Sequence, residues 1–289
     1  MYGYLQREAD VRRHARCWKH SLGSLANRSQ RPAGTSDCLG CWLRTWVLSS
    51  IVNRRHQLLF QPPLSDSVRL SNILYQLPLG NLRNILCLAA HADDIEIGCG
   101  GTLMQMAKDN PQIKFDWGIL SATDQRKIEA QRCFDDWLPG NSGRLHIADF
   151  PNSYFPWHGQ EIKRYLHQLA IQQSPDLIFT TRRDDRHQAH RLLGELTWNA
   201  FRNHQIWEYE IPKFEGDLGQ PNVYMPLSSE IAQQKSDLLL SHYASQQAKT
   251  WYRPETFRGL MQVRAIECNA PSGYAEGFYA SKLVMRTTP

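Results

Sequence analysis

No stretch of this chain approaches the roughly 20 consecutive apolar residues that a bilayer-spanning helix needs. The nearest, CLGCWLRTWVLSSIV, is short and is broken by Arg44. The first fifteen residues contain no apolar core of the kind a secretory leader carries, so no leader is expected. Cysteines are too few and too irregular for a disulfide framework. There are seven, at Cys17, Cys38, Cys41, Cys87, Cys99, Cys133 and Cys268, an odd set that fits reduced thiols and a cytoplasmic setting. Internal repeats are missing, as is any linker that would announce a second independent domain. Charge excess is also small: the net charge of +5 is carried by the first eighty residues, which hold eleven Lys/Arg against four Asp/Glu. A nucleic-acid-binding role is therefore not expected of the remainder.

Those first residues lack hydrophobic periodicity as well. Residues 1–75 are read as a basic extension, poorly ordered or lying upstream of the natural start of the domain, and 76–289 as the folded domain. The pairs Cys17/His20 and Cys38/Cys41 offer four zinc-type ligands, but the segment between them has no finger-like hydrophobic pattern, and chance spacing is the preferred explanation. A helix near SDSVRLSNILYQL is expected to mark where the domain begins.

From residue 83 strand and helix patterns alternate. NILCLAA, KFDWGIL, RLHIADF and DLIFTT read as strands, with helices expected over about 101–108, 125–137 and 159–173 and after residue 190. This alternation predicts an α/β fold, a Rossmann-like doubly wound, mainly parallel sheet with helices on both faces. After residue 206 the pattern becomes irregular, with extended pieces at IWEYEIP and NVYMPL, a helix near 228–241 and a closing segment GYAEGFYASKLVM.

In such a sheet ligands sit beyond the carboxyl ends of the strands where strand order reverses, between the first and fourth strands in a 3-2-1-4 arrangement. The two richest polar clusters follow those strands: His91, Asp93 and Asp94 after the first, and Asp184, Asp185, His187 and His190 after the fourth. His91 and Asp94, with one more imidazole or carboxylate, suit a zinc ion that keeps one position open for water. His187 and His190, three apart at a helix start, are expected to face one crevice, one as ligand and one free for proton transfer. Gly98, Gly100 and Gly101 lack the dinucleotide spacing and follow acidic residues that would repel a pyrophosphate, so they are read as turn residues.

AAHADDIEIGCGGTL resembles the (P/A)-H-(P/A)-D-D-x-x-x-G-x-G-G-T hallmark of the PIG-L, or LmbE-like, family, and DDRHQAH resembles its second histidine motif. That family comprises zinc-dependent N-deacetylases of N-acetylglucosamine-containing compounds, and the resemblance spans about residues 83–285. It implies His91, Asp94 and His190 as metal ligands, Asp93 as general base, His187 as acid or electrophilic partner, and Arg126 as a sugar contact. Zinc is the implied cofactor, with iron(II) acceptable to the same ligands. Ala189 stands where the family commonly has Asp, so a carboxylate supporting the histidines is expected from Asp184 or Asp185. The implied partner is a small acetylated amino sugar or glycoconjugate; homo-oligomerisation is compatible with the chain. An amidase for a larger acyl group and a non-catalytic sugar-binding protein are the alternatives. Tyr154, Phe155, Trp157 and His158 are candidates for a sugar-stacking wall, and YEIPKFEGDLGQPNVYMPL for a cap over the site.

Overall fold

The computed structural model describes residue 74 and residues 76–284. The expectations for residues 1–75, including the cysteine/histidine pairs and most of the helix near SDSVRLSNILYQL, fall outside the described residues. All elements among the described residues lie in the unit Gln76–Pro289. Its strands are β1 Asn84–His91, β2 Lys114–Ser121, β3 Leu145–Ile147, β4 Leu177–Thr181, β5 Gln205–Tyr209, β6 Val223–Pro226 and β7 Ala275–Tyr279. Its α-helices are α1 Asp94–Asp109, α2 Asp124–Trp137, α3 Gly159–Gln173, α4 Gln188–Ala200, α5 Ser229–His242 and α6 Pro254–Cys268. No described helix is long and apolar enough to cross a membrane.

The sheet runs in the order β3-β2-β1-β4-β5-β7-β6. The first five strands are parallel, and β7 and β6 close one edge in antiparallel pairing. Successive side chains of β1 enter opposite cores, which is why its sequence is continuously apolar rather than alternating. Ile85, Cys87 and Ala89 join the core beneath α1, α2, α5 and α6. Leu86, Leu88 and Ala90 join the core beneath α3 and α4. The doubly wound arrangement thus follows from one strand's two faces, and β1 pairs with both β2 and β4. The reversal of strand order falls between β1 and β4.

Two elements differ from expectation. The first helix begins at Asp94, not near Gly101, so the glycines are helical rather than turn residues. Close packing explains them: a Cβ on Gly98 would lie 2.1 Å from Tyr209 Cδ2, and one on Gly100 would lie 2.4 Å from Trp137 Cζ2. The Tyr209 hydroxyl donates to Leu88 O at 2.8 Å, so the ring that needs Gly98 also ties β5 to β1. The second difference is α6, absent from the sequence reading. Pro254 opens it, and Phe257, Met261, Ala265 and Cys268 form its buried stripe. Cys87, Cys99, Cys133 and Cys268 are free thiols.

Candidate metal centre and active-site cleft

β1 ends at His91, and the chain turns at once into α1 through Asp93, whose φ of 89° is left-handed. Asp tolerates that conformation better than most residues, but it remains a sparsely occupied one. The turn sends neighbouring carboxylates to different partners: Asp94 faces the histidines, whereas Asp93 Oδ1 accepts from Arg126 Nη2 at 2.6 Å. Across the switch point, β4 leads through residues 182–187 into α4, where His187 is the residue before the helix and His190 lies in its first turn. Thr181 Oγ1 donates to His190 O at 2.7 Å, anchoring that turn to the strand end.

The two clusters meet. His91 Nδ1 and His190 Nε2 are 3.2 Å apart, His190 Nε2 and Asp94 Oδ2 3.4 Å, and His91 Nδ1 and Asp94 Oδ2 3.7 Å. All three residues are buried. Zinc bonds of about 2.0–2.1 Å at tetrahedral angles separate ligand atoms by about 3.3–3.4 Å, so this triangle has the size of one face of a zinc tetrahedron. Its protonation is equally suited. His91 Nε2 donates to Asn152 Oδ1 at 3.0 Å, and His190 Nδ1 donates to Asp185 Oδ2 at 3.1 Å. With those protons turned outward, the two inner nitrogens present lone pairs to each other and to a carboxylate. Three acceptors that close together need a positive charge between them. Without a metal the need appears as a raised His190 pKa: burial would lower it, but Asp94 and Asp185 outweigh burial. Asp94 is correspondingly held well below the usual carboxylate range, against the effect of burial, by His190 and His91.

Asp93 behaves oppositely. Burial, reinforced by Asp94, pushes it up to about 6 despite Arg126. His187 is pushed down to about 4 by burial and by His190 and His91, so its ring is neutral at pH 7. His187 Nδ1 and Arg126 Nε are both buried without a hydrogen-bond partner among the described residues.

These groups line a cleft of about 300 Å³ whose other walls include Asn152, Lys213, Phe214, Lys249 and Trp251. His91, Asp93, Asp94, Arg126, His187 and His190 therefore all reach one cavity. Asp185, not Asp184, supports His190. The cap expectation agrees with Ile211, Lys213, Phe214 and Glu215 on the cleft wall. The stacking wall does not form as expected. Phe155 is buried, stacked against His91 at 6.2 Å, while Tyr154 and Trp157 pair with each other at 5.9 Å and do not line the cleft. Asn152, Lys249 and Trp251 escaped sequence reasoning, and Lys213 was expected only as part of the cap stretch, because isolated loop residues carry no spacing signal.

The profile of the PIG-L family, described as GlcNAc-PI de-N-acetylase, matches residues 86–201. That span contains both strand-end clusters. No curated protein matches in sequence. Among solved structures, the chain is similar to N,N'-diacetylchitobiose deacetylase from Pyrococcus horikoshii, with 16% identity, a TM-score of 0.58, and 89% of this chain and 99% of that chain covered. It is similar to GalB, the 4-carboxy-2-hydroxymuconate hydratase from Pseudomonas putida KT2440, with 14% identity, a TM-score of 0.58, and coverage of 72% and 100%. A zinc-inhibited form of teicoplanin deacetylase Orf2 is similar at 15% identity and a TM-score of 0.52, with coverage of 68% and 97%. At these identities the likeness concerns the fold, which hosts a hydratase as well as deacetylases.

Proposed function

We propose that this chain, whose residues 86–201 match the PIG-L family model, is a metal-dependent N-deacetylase of an N-acetylglucosamine-type sugar or sugar conjugate. The observation that carries this reading is the buried triangle of His91 Nδ1, Asp94 Oδ2 and His190 Nε2, set beside a carboxylate, Asp93, that takes no part in it.

His91, Asp94 and His190 would hold zinc or iron(II), and Asn152 and Asp185 orient the two imidazoles by their outer nitrogens. When bound, such a cation would supply Lewis acidity, polarising an amide carbonyl and lowering the pKa of a water towards about 7. Asp93, near 6 before any cation is present, is ionised at neutral pH and accepts the proton of the attacking water. Arg126, which lines the cleft, fixes that carboxylate through Nη2. His187, neutral and with a free Nδ1, hydrogen-bonds the tetrahedral oxygen or relays the proton from Asp93 to the departing nitrogen. The C–N bond breaks, the nitrogen leaves as a free amine and the acyl group leaves as acetate.

The test is a panel of N-acetylglucosamine, N,N'-diacetylchitobiose and N-acetylglucosaminyl conjugates, with protein of measured zinc and iron content. Amine and acetate released in equal amounts are expected. Amine accompanied by a larger acid from an acyl-sugar panel would assign an amidase. Metal-loaded protein that releases neither from any member would overturn the hydrolytic reading.

A further inference from the structure

Behind His190 lies a residue the proposed chemistry does not use. The Lys213 side chain is only 8% exposed, yet it comes from the segment after β5 that forms one wall of the cleft. Its Nζ donates to Asp185 Oδ2 at 2.9 Å, Asp217 Oδ1 at 2.8 Å and Ile211 O at 3.2 Å, so all three ammonium donors are used. Asp185 Oδ2 is the same oxygen that receives His190 Nδ1. Asp217 is held in turn: its Oδ2 accepts from Arg186 N at 2.7 Å and its carbonyl from Arg182 Nη1 at 2.6 Å. The chain 213–217 is thereby fastened at both ends to the loop that leads from β4 into α4.

We infer that Lys213 is a positioning residue for the cation site, joining the cleft-wall segment that carries Phe214 and Glu215 to the carboxylate that orients His190. This rests on the proposed role of His91, Asp94 and His190. Asp185 and Asp217 are both buried carboxylates with one ammonium between them. Removing that ammonium leaves two like charges in a poorly hydrated place, and the cheapest relief is to swing them apart. Asp217 moves with the cleft-wall segment, while Asp185 moves off His190 Nδ1 and frees the imidazole to turn. Cation affinity and order of the cleft wall are then one property, and each must strengthen the other by the same factor.

Zinc affinity, measured by competition with a chromophoric chelator on metal-free full-length protein, tests this without reference to turnover. Lys213→Met is expected to weaken zinc about 10- to 100-fold, the range for loss of a group that orients a ligand. Lys213→Arg, which can still bridge two carboxylates, should recover most of it. Zinc should slow amide exchange over residues 213–219 in the wild-type protein and fail to do so in Lys213→Met. A merely structural lysine would lower the melting temperature and leave zinc affinity per folded molecule unchanged, and that result overturns the proposal. Should Lys213→Met not fold, Asp217→Asn decides: it keeps the Lys213–Asp185 bond but weakens the far anchor, and wild-type zinc affinity together with wild-type exchange protection would refute the link. Wild-type protein that binds neither zinc nor iron(II) would instead remove the metal site on which both readings stand.

Discussion

Two groups of buried charges flank α1, and they are completed in different ways. Near the middle of the helix, Lys235 Nζ meets Glu276 Oε1 and Ile97 O at 2.6 Å each, and the Glu276 carboxylate also accepts from Gly101 N and Thr102 N at 2.9 and 2.7 Å. Beside it Arg264 grips Glu210 through two 2.8 Å bonds, and Tyr279 adds a third to the same carboxylate. Here every ammonium and guanidinium has an acceptor. At the N-terminal end of the same helix, His91, Asp94 and His190 turn three acceptors toward one point with their protons directed elsewhere. Burial of charge alone therefore does not distinguish architecture from chemistry; the balance of donors and acceptors does.

That contrast can be broken by substitution. The largest effect is expected at the deficient cluster: His190→Ala should abolish stoichiometric binding of zinc, read by metal analysis after dialysis, and retention of one zinc per chain would contradict its assignment as ligand. Asp93→Asn should keep the metal and lower turnover by about 10²- to 10⁴-fold; loss of metal in this variant would mean that base and ligand have been interchanged. At the balanced cluster, Lys235→Met should cost about 3–5 kcal/mol in denaturant unfolding, because Glu276 is left buried without its cation. Zinc affinity per folded molecule should be unaffected, and a large drop would merge the two clusters into one functional unit.

The smallest effect concerns pH. With a folded-state pKa near 6 against about 3.8 for the free side chain, Asp93 binds its proton more readily in the folded state. Its contribution to the stability of metal-free protein is thus full below pH 3.8 and lost as pH rises through 6. Replacing it by Asn removes that dependence, so the difference in unfolding free energy between wild type and Asp93→Asn should change across pH 4–6 and flatten above it. A difference independent of pH over that range would refute the burial-driven shift.

The sheet was legible because parallel strands buried on both faces are written as short apolar runs, and β1, β2, β4 and α3 stand close to where periodicity puts them. The meeting of the two polar clusters was legible for a topological reason, the reversal of strand order between β1 and β4. What escaped depended on contacts distant in sequence. Gly98 and Gly100 look like turn formers until Tyr209 and Trp137 are found lying on them. Asp184 and Asp185 are equivalent as letters, and only the bond to His190 Nδ1 separates them. Phe155 and Trp157 share a motif, but one closes the core beneath His91 and the other faces solvent. Asn152 and Lys213 have partners 61 and 28 residues away, and neither residue type suggests a metal site by itself.

The left-handed backbone at Asp93 gives the paired aspartates unequal evolutionary freedom. A residue comfortable at positive φ can replace it without redirecting its neighbour, so on the proposed assignment asparagine or glycine at 93 would remove the base and leave the ligand set in place. A β-branched side chain there would resist the bend, and the damage would spread to Asp94. On the proposed function, the residue at position 93 would therefore separate a descendant that lost its base and kept its ligand set from one whose ligand set was lost through the main chain.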